Sequence, residues 1–170
     1  MRVALGSLLA LAAVACTSEP PQENRDVTRV IEIEGTLPPL SGETLAGDEL
    51  AMEDLEGRPV VVNFWATWCG PCEREQPMLV DAHREIGERV AFLGVDYRDQ
   101  DDAARDWLDR YGVEYPNVAD PNGSLALRFG VTTGLPTTIV VDADGRLRFR
   151  VLGEIDRATL DDLVRRVERP

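Results

Sequence analysis

Two cysteines separated by two residues, in Cys69-Gly70-Pro71-Cys72, are the side chains whose type and spacing most directly imply chemistry. Before them runs Pro59-Val-Val-Val-Asn-Phe-Trp-Ala66, a continuous β-branched and aromatic stretch that reads as a strand buried on both faces. After them a helix is predicted from about Pro71 to Glu88. A thiol at such a junction meets unpaired N–H groups and the positive end of the helix dipole, both of which favour thiolate. Cys69 is therefore the expected nucleophile. Cys72, one turn further in, is placed to attack the mixed disulfide that Cys69 forms and so to release a reduced product. A pair of inert core cysteines, or half of a metal site shared between chains, would use the same residues.

The remaining cysteine, Cys16, stands alone, so three cysteines cannot form a disulfide framework. Zinc needs about four nitrogen or sulfur ligands at a structural site and about three at a catalytic one, whereas the chain offers one Cys pair and the single His83. No metal ligand set is expected within one chain. Glu73 after Cys72 excludes a c-type haem attachment, which needs His there.

A length of 170 residues suits one domain, and 44% hydrophobic with 29% charged residues is the composition of a folded globular chain. The 31 Asp+Glu against 18 Lys+Arg give a net charge of -13, which argues against nucleic acid as a partner because phosphates need a basic footprint.

Residues 3–15 form an apolar run too short to span a membrane, which needs ~20 residues. It reads as an export signal. The run leads directly into Cys16, in the manner of a bacterial lipoprotein signal whose cysteine becomes the acylated first residue, although Ala13 occupies the place where Leu is usual. The expected organisation is a signal at residues 1–15, a lipid anchor on Cys16, a polar tether over 16–30 and one domain over 31–170.

Within that domain strands and helices alternate. A small hairpin and a short helix at Ala51 to Leu55 are predicted first, then the strand before Cys69 and its helix. A strand at Val90 to Val95, a helix at Asp101 to Tyr111 and a strand near Asn117 to Ala119 follow, and Asp120-Pro121 reads as the cap and first-turn proline of a further helix. Strands at Thr137 to Val141 and Arg146 to Leu152 precede a last helix capped by Asp156. The fold class is α/β: a central mixed sheet flanked by helices, with an N-terminal hairpin extension. Arg146, Arg148 and Arg150 alternate with apolar residues, as on a strand guarding an exposed sheet edge. His83 reads as a surface residue. On the helix after the cysteines, Cys72, Glu75, Leu79, Ala82 and Ile86 follow steps of 3, 4, 3 and 4, the spacing of one buried face. Glu75 is thus a carboxylate on an apolar stripe, where burial raises its pKa toward a range useful for proton exchange with Cys72.

The segment from Val62 to Cys72 resembles the active-site segment of the thioredoxin superfamily, and Gly134-Leu135-Pro136-Thr137 is similar to its cis-proline loop. Pro77 matches the family's helix proline. The resemblance implies that Trp68, Gly70, Pro71, Leu135 and Pro136 border a groove for the substrate. At the position where cytoplasmic thioredoxins carry a buried Asp this chain has Asn63, and Glu75 would replace the missing carboxylate. Together with the lipoprotein-like signal, these features resemble the TlpA/ResA family of membrane-tethered extracytoplasmic thiol-disulfide oxidoreductases. That resemblance implies reduction of protein disulfides, including the cysteine pair of apocytochrome c, by a monomer that takes electrons from a membrane thiol-disulfide donor and needs no cofactor. In this family an inserted helix and strand follow the second core strand, a place that Asp101 to Ala119 can fill. A thiol peroxidase on the same fold would need a different local cysteine motif, and a copper delivery protein typically C-x-x-x-C with a distal His.

Overall fold

The computed structural model describes residues 28–51 and 55–168. The export signal, Cys16, tether residues 17–27 and residues 52–54 of the short helix expected before Leu55 lie outside them.

Six strands form one sheet in the order β1-β8-β7-β4-β5-β6. The centre is β4 (Val60–Trp65), all six residues of which are buried, as its β-branched run requires. It pairs in parallel with β5 (Ala91–Tyr97), which pairs in parallel with β6 (Asn117–Asp120). On its other side β7 (Thr137–Val141), β8 (Leu147–Leu152) and β1 (Arg29–Glu32) continue antiparallel. The hairpin β2 (Ser41–Glu43) and β3 (Glu49–Ala51) stands as a separate two-stranded sheet.

Alternation along β4 divides the core in two. Val61 joins Leu79, Ala82 and Ile86 of α1 (Gly70–Ile86) and Leu160, Leu163 and Val164 of α4 (Arg157–Glu168). Val62 and Phe64 join Leu125 and Ala126 of α3 (Ser124–Arg128) on the opposite face. Each Val, Leu, Ile or Phe among them contributes about 1.5–3 kcal/mol on full burial, so the sheet is held from both sides. Helix α2 (Asp101–Tyr111) covers the active-site end, with Ala104 and Trp107 buried against Trp65.

Three local expectations are corrected. Strand β8 is not a sheet edge: β1 begins at Arg29 and covers it. Arg148 instead pairs with Asp142 at 3.2 Å, and Arg150 donates to the Phe129 carbonyl at 2.6 Å. Helix α3 starts at Ser124 rather than after Asp120, because Asp120 closes a turn to Gly123 whose φ is +75°. Asp120 still caps that helix across the turn, accepting from the N–H groups of Leu125 at 3.1 Å and Ala126 at 2.8 Å. His83 is half-buried, edge-on to Phe92 and Tyr115 at 5.5 and 5.4 Å between centroids, because the α1 surface beside the stripe still meets β5. Burial lowers its pKa.

Candidate active site

Strand β4 delivers the chain to a turn at Ala66 to Trp68 and then to Cys69, which is the N-cap of α1 with Pro71 in its first turn. Proline suits that position, since its missing N–H would have had no helical partner. Cys69 and Cys72 are joined as a disulfide, S–S 2.02 Å, so the structure is that of the oxidised protein. The Cys69 sulfur accepts the Cys72 N–H at 3.3 Å. That donor and the helix N-terminus are what would stabilise a thiolate on Cys69 once the disulfide is reduced. Both cysteines are buried, Cys69 at 5% exposed and Cys72 at 1%.

The loop is held from below by Trp65. Its ring stacks on Trp107, centroids 4.2 Å apart, and its indole N–H donates to Asn117 Oδ1 at 2.8 Å. Gly94 makes that bond possible: a Cβ there would lie 1.6 Å from Asn117 Oδ1. Asp99 Oδ2 accepts the Thr67 N–H at 2.5 Å and ties the turn to the end of β5.

All five positions of the α1 stripe are buried, Glu75 among them at 2% exposure. Its Oε1 accepts from Asn63 Nδ2 and its Oε2 from the Ile155 N–H, both at 2.8 Å. Burial is the largest influence on this carboxyl and raises its pKa to about 7; the two hydrogen bonds oppose the rise and Glu154 adds to it. A carboxyl that titrates near neutrality, one helical turn from Cys72 on the same buried face, can hold or give up a proton as the thiol changes state. Glu73 and Arg74 lie on the exposed side of α1, Arg74 paired with Glu154 at 2.8 Å. Pro77 lies inside α1 and removes one helical N–H.

Trp68 is 61% exposed beside Cys69. Gly70 is exposed, Pro71 and Leu135 half-buried and Pro136 buried, with the Leu135-Pro136 bond cis. Leu135 packs against the group that contains both cysteines, which brings the proline loop to the disulfide. Cys16 lies outside the described residues.

Other polar groups near this site gave no clear sequence signal. Gln76, also buried, donates to the Tyr115 hydroxyl at 2.8 Å, and that phenol's pKa is raised by burial. Asp96, 2% exposed at the end of β5 and opposite Trp65 in the strand register, has Oδ1 without a partner. Burial, reinforced by Asp99, Asp101 and Asp120, raises its pKa to about 7. Only Gly94, a glycine inside a strand pattern, hinted at the close approach that seats Asn117.

Residues 33–150 match the AhpC/TSA family. Over 124 residues, 72% of this chain and 71% of the relative, the sequence is 30% identical to thiol-disulfide oxidoreductase ResA of Bacillus thuringiensis strain Al Hakam. The crystal structure of a DsbF homologue from Corynebacterium diphtheriae superposes with a TM-score of 0.76 and 26% identity, covering 88% of this chain and 97% of the other. A thiol:disulfide interchange protein of the thioredoxin family from Chlorobium tepidum TLS superposes with a TM-score of 0.73 and 28% identity over 79% and 97%. The fold is the thioredoxin fold.

Proposed function

Because this chain belongs to the AhpC/TSA family and is a thiol-disulfide oxidoreductase, acting on disulfide-containing substrates, we propose that it works outside the cytoplasm, tethered to a membrane, mainly as a protein-disulfide reductase. The observation that carries the reductive reading is the pairing of the cap cysteine, the less deeply buried of the two, with a buried carboxyl behind its partner.

In the proposed cycle the Cys69 thiolate attacks one sulfur of the substrate disulfide; the S–S bond breaks and the other substrate sulfur leaves as thiolate, taking a proton from water. Glu75 accepts the proton of the Cys72 thiol. Cys72 then attacks Cys69 Sγ, and the second substrate sulfur leaves. The substrate gains two electrons and the Cys69–Cys72 disulfide results. A membrane thiol-disulfide donor returns the two electrons. The cysteine pair of apocytochrome c is one substrate of suitable chemistry. Trp68, Gly70, Pro71, Leu135 and Pro136 line the groove, and the protein acts as a monomer.

Among the described residues no helix is long and apolar enough to cross a membrane. The tether reading is supported by the apolar residues 3–15, Cys16 after them and the polar stretch beyond. Two experiments test the proposal. Alkylation of the reduced protein at mildly acidic pH should label Cys69 well before Cys72; equal labelling would reverse or cancel the assigned roles. Cys16→Ala should move an active domain from the membrane fraction to the soluble one, and a wild-type protein already soluble after export would contradict the anchor.

A further inference from the structure

One charged side chain is held in an unfavourable backbone conformation. Arg98, at the end of β5, has φ +52° and is the single non-glycine residue with positive φ among the described residues. Its surroundings fit it closely. The Arg98 N–H donates to the Asp120 carbonyl at 3.0 Å, and Nη2 donates to the Asn122 carbonyl at 3.3 Å. A Cβ on Gly123 would lie 2.7 Å from Arg98 Nε and 2.8 Å from the Tyr97 ring, so glycine there leaves room for both side chains. The guanidinium carbon sits 5.1 Å from the Tyr97 ring centroid. Tyr97 in turn meets Trp68 edge-on, centroids 6.5 Å apart, and Trp68 precedes Cys69.

The guanidinium is exposed and has no ion-pair partner among the described residues. Two carboxylates around this turn are engaged with backbone donors: Asp99 accepts from the N–H groups of Thr67 and Gln100, and Asp120 from those of Leu125 and Ala126. Strain of this kind persists only where surrounding structure fixes it, and it concentrates at sites that bind or react.

We propose that Trp68, Tyr97 and Arg98 form a specificity strip for the disulfide substrate, in which the two rings carry an extended segment and Arg98 pairs with an Asp or Glu on it. Extended chain rises about 3.3 Å per residue, so the steps of 6.5 Å from Trp68 to Tyr97 and 5.1 Å on to the guanidinium put the acidic residue roughly two to four positions from the substrate residue seated on Trp68. The net charge of -13 repels acidic peptides at long range. That field is screened within about 8 Å at physiological salt, so contact with a preorganised guanidinium decides the discrimination. The inference rests on the reductase reading and deepens it.

The test uses disulfide-bonded peptides that differ only in carrying Glu, Ala or Lys at those positions. The rate at which each oxidises the pre-reduced protein is followed by tryptophan fluorescence. Wild type should react roughly three- to tenfold faster with the Glu peptides than with the Lys peptides. Arg98→Gln should bring that ratio to about one and Arg98→Glu should invert it. Gly123→Ala, which crowds the guanidinium without removing its charge, should lower it as well. A wild-type ratio near one, or one unchanged by Arg98→Gln, overturns the strip while the Ala peptides still react. Failure of every peptide to oxidise the wild type overturns the reductase reading and the strip together.

Discussion

Asn63 donates its amide N–H to Glu75 Oε1 at 2.8 Å and to Thr138 Oγ1 at 3.1 Å, while its own buried Oδ1 has no partner. The strand therefore offers the carboxyl a donor that cannot titrate. Any proton taken up at this place goes to Glu75, the one acid of the pair.

Glu75→Gln keeps the shape of the side chain and removes its titration. Reductase turnover at pH 7 should fall roughly 100-fold, the low end of what a positioned acid or base contributes. The apparent pKa of the cysteine pair should fall too, since a negative neighbour no longer opposes a second thiolate. Glu73→Gln, on the exposed side of the helix, should change neither. Thiolate absorbance against pH, measured beside turnover, checks both; matching curves for the two variants would remove Glu75 from the proton path.

Stability carries the same signature. The Glu75 carboxyl has its pKa raised from 4.5 to about 7 in the folded protein, so the native state holds the proton more tightly than the unfolded chain. The resulting stability is complete below pH 4.5 and is lost as pH rises through about 7. Glu75→Gln sets an amide NH2 against one of the two N–H donors and so has a cost at every pH, but the variant's stability relative to wild type should rise by up to about 3 kcal/mol between pH 4.5 and pH 8. Urea midpoints at the two pH values measure the difference; equal effects at both would contradict burial as the cause of the shift.

What the sequence made legible follows the strength of each local signal. Strands β4, β5 and β7 are dense in Val, Ile and Phe, and the stripe from Cys72 to Ile86 has a clear helical period, so their placement and the burial of Glu75 could be read directly. Strand β1 could not, because four residues flanked by charge acquire their role only by pairing with β8. The cap of α3 was readable as a residue and not as a geometry, since Asp120 reaches its N–H groups across a turn. Pairs made through tertiary contact, such as Gln76 with Tyr115 and Trp65 with Asn117, have no fixed sequence spacing that could announce them.

Asp96 offers an independent test of the buried face. Its unpartnered carboxylate oxygen and its pKa of about 7 mean that ionisation is costly where it stands. The sign is that of Glu75: stability is present at low pH and declines as pH rises through about 7. Asp96→Asn should raise the urea midpoint at pH 8 and change it little at pH 5. A lower midpoint at both would show that the carboxylate has a partner after all.

The central claim, that Cys69 attacks and Cys72 resolves, is tested most directly by covalent capture. Pre-reduced Cys72→Ser, mixed with a disulfide-bonded peptide and examined by intact mass, should retain the peptide as a mixed disulfide on Cys69 that a dithiol releases. Cys69→Ser should retain little or none, because the remaining thiol is the deeper one. Capture by Cys69→Ser with Cys72→Ser inert, or equal capture by both, would contradict the assignment.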